Sequence, residues 1–307
     1  MTLWPAAERL NNLDKPLAYI ERIRNYYQRL GYGAPYRWFQ FDDVPFCLPS
    51  KPLSESRVAI VTTAAQFDPT KGDQGPGAPY NGAAKFFEVY SRQIDPLPDL
   101  RISHIAIDRD HTSAEDPGTY FPLVALKKLE ASGEIGTVAS RFHGLPTNRS
   151  HRVTREIDCP ELVARCVEDK VDIALLVPNC PVCHQSVTMA ANALELAGIC
   201  SVISGCAKDI VEHVGAPRLL FNDFPLGNSA GLPHDIDNQL EIARLALSMV
   251  ETAHQARTTQ KSPYSWSGDL DWKKDYSNAA LLSQEEIDRR RREFDQAKSV
   301  TPKQTSK

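Results

Sequence analysis

Residues 171–184 read VDIALLVPNCPVCH. The run from Val171 to Val177 is almost unbroken in apolar character, the pattern of a strand buried on both faces of a parallel sheet. Pro178 and Asn179 end it. Pro181 suits the first position of a helix, where a missing N–H costs little. The helix is predicted to run to about Leu196 and to stop at Gly198. This junction of strand into helix sets the architecture.

The same alternation extends to both sides. Strands are predicted over Arg57–Ala64, Arg101–Ile107, Gly136–Phe142, Cys200–Ser204 and Arg218–Phe221. Helices are predicted over Leu17–Leu30 and Pro122–Ser132, after an N-cap at Asp158, and after a cap at Asp235 with Ile236, Leu240, Ala243, Leu247 and Val250 on one face. Alternating strands and helices imply an α/β fold, a mainly parallel open sheet flanked by helices. The spans expected are an N-terminal helical and loop extension (1–54), an α/β catalytic region (55–255) and a C-terminal extension (256–307) with a charged tail fraying after Lys298. Ligands of such sheets bind beyond the carboxyl ends of the strands. Thr62-Thr63, Asp108 to Ser113, Arg141 to Gly144, Asn179 to Gln185 and Gly205-Cys206 all fall there.

Composition narrows the function classes. The chain has 307 residues, 35 Lys and Arg against 39 Asp and Glu, and a net charge of −4. Such a balance offers no basic stripe for a nucleic-acid backbone. No stretch is apolar enough to span a membrane, and Met1 to Asn12 has no signal-peptide shape. With seven cysteines, an odd number, a cytoplasmic protein with reduced thiols is the simplest expectation.

Cys180 falls at the predicted helix start, where free N–H groups and the helix dipole favour a thiolate. Cys183 lies about one turn on and suits a resolving thiol. His184 and His143 are candidates for moving protons. Candidate substrate-binding residues are Thr62, Thr63, Asp108, Arg109, His111, Arg141, Asn179 and Cys206. An arginine fork matches a carboxylate, so a small substrate carrying one is expected. Cys47, Cys159, Cys166 and Cys200 read as inert packing, and His104 as a structural histidine. One CxxC without a second, and without an HxxxH pair, argues against a structural metal site. No GxGxxG or Walker sequence is present, so no nucleotide is inferred; no metal ligand and no cofactor are assigned. Homo-oligomerisation stays open.

Several stretches together carry a resemblance. They are VAIVTTA (58–64), ISHIAIDRDHTSAED (102–116), FPL (121–123), GEIG (133–136), DIALLVPNCPVCHQ (172–185) and PRLLFNDFPLGNSAGLPHD (217–235). With them the chain resembles the selenoprotein B family of glycine, sarcosine, betaine and D-proline reductases. The resemblance implies a redox motif at Cys180 and Cys183, where family reductases carry a selenocysteine, and a partner subunit bearing a pyruvoyl group. This chain has cysteine there. It is similar to a smaller selenium-free branch, the desulfhydrases of ergothioneine breakdown. That likeness implies release of hydrogen sulfide from a cyclic thioamide such as 3-(5-oxo-2-thioxoimidazolidin-4-yl)propionic acid. Cys180 would attack the thiocarbonyl carbon, and water would later replace the enzyme sulfur. The alternatives are a thiol-dependent reductase that cleaves a C–N or C–S bond and ends as a Cys180–Cys183 disulfide, or a non-catalytic subunit of such a complex.

Overall fold

A computed structural model describes residues 13–75, 80–266 and 270–300. Its strands, in chain order, are β1 (Arg57–Thr62), β2 (Ala65–Gln66), β3 (Tyr90–Gln93), β4 (Leu100–Arg101), β5 (Thr137–Val138), β6 (Arg141–Gly144), β7 (Ile173–Val177), β8 (Cys200–Gly205), β9 (Arg218–Phe221) and β10 (Thr258–Lys261). The longer helices are α1 (Tyr19–Arg29), α2 (Leu123–Ala131), α3 (Cys159–Glu168), α4 (Pro181–Leu196), α5 (Lys208–Val214), α6 (Ile236–Thr252) and α7 (Gln284–Val300).

The fold is α/β, as the alternation predicts. An eight-stranded open sheet has the order β10-β9-β8-β7-β1-β6-β3, with β5 also paired to β1. Every pairing in it is parallel except that of the edge strand β3 with β6. Side chains alternate along each strand. Val58 and Ile60 of β1, with Ile173, Leu175 and Val177 of β7, join the core under α2 and α6. Ala59, Val61, Ala174 and Leu176 join the opposite core under α3, α4 and α5. Both faces are therefore covered, and β7 is fully buried.

Strand order decides where a ligand can enter. From β1 the chain moves outward to β6, and from β7 it moves the other way to β8, β9 and β10. The order reverses between β1 and β7, and open α/β sheets bind ligands in the crevice at such a point. Cys180 follows β7 there.

Three predicted elements differ. The strand expected over 101–107 is extended only at Leu100–Arg101, which pairs antiparallel with β2 in a separate two-stranded sheet. Beyond it the Arg109 guanidinium binds the carbonyls of His104 and Ile105, which removes them from any strand ladder. Asp158 does not cap a helix. Helical structure starts earlier, at a turn capped by Ser150, and passes through a π segment, Thr154–Asp158, into α3. The Asp158 carboxylate accepts from the Asn148 amide at 2.7 Å instead. The sheet also runs past residue 255, because β10 pairs with β9. The readings of Met1–Asn12 and of the tail after Val300 lie outside the described residues. Among the described residues no helix is long and apolar enough to cross a membrane.

Candidate active site

The junction after β7 is fastened from below. The backbone N–H and the side-chain amide of Asn179 both donate to Thr63 Oγ1, at 3.1 and 3.0 Å. Thr62 Oγ1 donates to the Tyr120 carbonyl at 3.1 Å. Both threonines and Asn179 are buried; Thr63 ties the ends of β1 and β7 together beneath the site, and Thr62 ties β1 to the turn that leads into α2.

Cys180 is the N-cap of α4, with Pro181 at the first helical position. Its sulfur accepts the Cys183 N–H at 3.3 Å. The two sulfurs face each other at 2.6 Å. Thr147 Oγ1 lies 3.2 Å from the Cys183 sulfur and 3.2 Å from His104 Nε2. One ligand atom each of His104, Cys180 and Cys183 falls within 4.8 Å of the others. The donor set could therefore take a soft cation as well as hold a dithiol.

The surroundings separate the two thiols electrostatically. Burial raises Cys183, but the Cys180 thiol, the charge of His104 and the Thr147 hydroxyl outweigh it and bring Cys183 well below the ordinary thiol range. Burial and the bond to Cys183 push Cys180 well up. Of the two, Cys183, one turn inside the helix, is therefore the more acidic thiol.

Cys180 forms part of the wall of a cavity of about 1280 Å³. Segments from both ends of the chain complete the wall, among them Tyr27 and Trp38 on one side and Tyr276, Arg290 and Phe294 on the other. Lys85 and Arg149 line it as well. Each rests on an aromatic ring, Lys85 over Phe87 at 4.8 Å and Arg149 over Tyr36 at 5.2 Å. Neither has a carboxylate partner among the described residues. Burial lowers Lys85, and the neighbouring Cys180 works against that. Lys85 and Arg149 bring two basic groups to this wall, which also carries Asp108, Asp110 and Glu293.

The predicted residues divide by position. Cys180, Asp108 and Arg109 line the cavity. Asp108 is buried, with Oδ1 at 2.9 Å from His111 Nδ1 and Oδ2 without a hydrogen-bond partner. Burial raises its carboxyl above the usual range. Burial likewise brings Arg109 down to about 10. His111 lies behind Asp108, outside the wall.

His184 points away from the dithiol. Its Nδ1 meets the Cys180 carbonyl at 2.8 Å, and its Nε2 accepts the N–H groups of Cys206 and Ala207 at 3.0 and 3.1 Å. Two donors on Nε2 require the proton on Nδ1, so the ring is a neutral cross-tie between α4 and the end of β8. Gly205 leaves it room, since a Cβ there would lie 3.1 Å from the ring. Cys206 is buried beside Ser229, and burial pushes its thiol up to about 12. Arg141 and His143 share a side of β6, but that side faces Asp169. Arg141 forks onto Asp169 and Glu168, while His143 is wholly buried against Ser91 and burial lowers it to about 4. Neither reaches the cavity wall.

Sequence reasoning overlooked Lys85, Thr147 and Arg149 and placed His104 in a structural role. Thr147 and Arg149 follow the carboxyl end of β6, so the strand-end rule covers them. Lys85 stands in a loop with no local signal.

Comparison with known proteins supplies the lineage. The chain is 26% identical over 219 residues to D-proline reductase subunit gamma of Acetoanaerobium sticklandii, covering 71% of this chain and 87% of that protein. It is 26% identical over 233 residues to glycine reductase complex component B subunit gamma of Symbiobacterium thermophilum, covering 74% of this chain. The chain spans about half of that second relative, 52% of its length. No family model and no solved structure matches. The paired cysteines after β7 thus sit inside a chain that is similar to the gamma subunits of D-proline reductase and of glycine reductase component B.

Proposed function

We propose that the chain is a reductase component of the glycine and D-proline reductase type, working through the Cys180–Cys183 dithiol on a small anionic substrate. The observation that carries this reading is the pair itself, two sulfurs 2.6 Å apart with Cys180 on the wall of a cavity that also holds Lys85 and Arg149. The relatives are named as reductase subunits, which favours work alongside partner subunits.

In the proposed cycle the Cys180 sulfur attacks the substrate carbon and its proton passes to Cys183. The C–N or C–S bond breaks, and the leaving group takes the electron pair and that proton. Cys183 then attacks the Cys180 sulfur. An S–S bond forms, the S–C bond breaks, and its electron pair stays on carbon, which takes a proton from solvent. The substrate gains two electrons and the dithiol loses two. An external dithiol restores the pair by exchange. Lys85 and Arg149 hold the substrate carboxylate.

A second reading is the desulfhydrase, favoured by Cys180 standing at the start of α4. Free N–H groups there would stabilise the anion formed when sulfur adds to a thiocarbonyl carbon. That reaction is redox neutral, and Cys183 would only relay a proton.

The readings part on the reductant. The chain, alone and with partner subunits, is supplied with D-proline, with glycine and with the thioxoimidazolidinone propionate, with and without dithiothreitol. The reductase reading expects product equal to dithiol consumed and loss of at least about 100-fold in both Cys180→Ser and Cys183→Ser. Sulfide release without reductant that survives Cys183→Ser selects the desulfhydrase. Near-normal turnover by Cys180→Ser defeats both.

A further inference from the structure

At the end of the sheet opposite the cavity lies a second dithiol. Cys200 opens β8 and is buried, while Cys47 belongs to the segment between α1 and β1 and is half-buried. Their sulfurs are 3.1 Å apart. Sequence reading takes both as inert packing, but the surroundings hold them as a pair. The Cys47 N–H donates to Glu195 Oε2 at 2.6 Å, and its carbonyl accepts from Arg218 Nη2 at 2.6 Å. Glu195 and Arg218 are themselves a fully buried ion pair at 2.8 Å. The Arg218 guanidinium also lies 3.9 Å over the Phe46 ring. On the other side, Cys200 is fixed by the parallel register of Ile173 with Cys200. Both backbones are clamped with the sulfurs 3.1 Å apart, so a bond of about 2.05 Å needs about 1 Å of approach.

The clamped segment also reaches the cavity. Upstream of Cys47, the Phe39 N–H donates to Gln185 on α4 at 2.8 Å, and Tyr36 and Trp38 stand in the cavity wall. We propose that Cys47 and Cys200 are a site of reversible oxidation, whose cystine fastens residues 31–50 to the sheet and so fixes one wall of the cavity. The oxidant is a small disulfide of the glutathione class, which meets Cys47 first because that residue is half-buried whereas Cys200 is buried. Exchange breaks the incoming S–S bond and forms the Cys47–Cys200 bond. The two electrons and two thiol protons leave with the two glutathione thiols. A ring closed between positions 153 residues apart restricts the unfolded chain strongly.

The test uses the full chain, equilibrated in glutathione buffers of rising oxidised fraction, alkylated and mapped by mass spectrometry without reduction. A Cys47–Cys200 linked peptide should accumulate, and thermolysin cleavage within residues 31–50 should slow severalfold in step with it. Cys47→Ser should cleave at the reduced protein's rate in every buffer. Mapping the wild type decides the first point even if that variant does not fold. Separate alkylation of Cys47 and Cys200 in a buffer that fully links Cys180 to Cys183 would overturn the proposal. So would a stable glutathione adduct on Cys47 with Cys200 free, or a cystine that leaves cleavage unchanged.

Discussion

Neutral His184 couples the fold to pH. Its ring is wholly buried and spends both nitrogens on backbone groups, and burial lowers its pKa from 6.5 to about 4. Between those values the unfolded chain binds a proton that the folded chain refuses. Stability therefore falls as pH drops from about 6.5 to about 4, and is fully present above. At 1.36 kcal/mol for each pH unit, the loss is about 3 kcal/mol. Asp158 and Asp209, both raised to about 6 by burial, act in the opposite sense over an overlapping range. Comparison with His184→Asn isolates the histidine. Urea unfolding at pH 7.5 and 4.5 should show the wild type losing about 2–3 kcal/mol more than the variant does. Equal losses would remove the neutral cross-tie. The residue also marks a limit of sequence reading. His184 neighbours Cys183 in the chain, but one helical residue is about 100° of rotation, and the ring turns back to the carbonyl four residues earlier. Adjacency suggested convergence on one site, and the helix period separates the two side chains.

Strands buried on both faces are legible because mostly apolar side chains fill them, and β1, β7 and β8 read plainly. Edge strands are not. β3 (YSRQ) and β10 (TTQK) are polar and partly exposed, so their composition is that of a loop, and only pairing with β6 and β9 makes them strands. At the β3 edge the fit is close. A Cβ on Gly144 would lie 1.9 Å from the Tyr90 ring, and the Tyr90 hydroxyl donates to the Ala64 carbonyl at 2.6 Å. Gly144→Ala must displace that ring from between β3 and β6. It should cost about 1–3 kcal/mol, as overpacking in a filled core does, read from the denaturant midpoint at unchanged slope. A midpoint within error of wild type would show that the edge yields freely.

At the scale of the whole molecule, the sheet positions the dithiol and the two ends of the chain enclose it. The strand-end rule therefore located the cysteines, whereas the walls come from segments with no sheet periodicity to read. α7 shows how loosely such a wall is held. Its ion pairs, Glu286 with Arg289 and Arg290 and Arg289 with Glu293, run along its own surface and do little to fix it in place. Its apolar hold on the N-terminal segment is Phe294, edge-on to Tyr27 at 5.7 Å and Tyr32 at 5.1 Å, beside polar contacts of Arg291 with the Leu30 carbonyl at 3.0 Å and of the Tyr32 hydroxyl with Asp295 at 2.7 Å. Elements attached by few apolar contacts open before the whole chain unfolds. Phe294→Ala removes the main aromatic anchor while leaving β1, β7 and α4 untouched. Iodoacetamide should then label Cys180 severalfold faster than in the wild type, while global unfolding shifts by less than about 1 kcal/mol, as for a half-exposed side chain. Added salt should change that rate little, because the anchor removed is an uncharged ring. A labelling rate equal to that of the wild type would mean that α7 does not control access to the cavity, and that small molecules reach Cys180 past another wall.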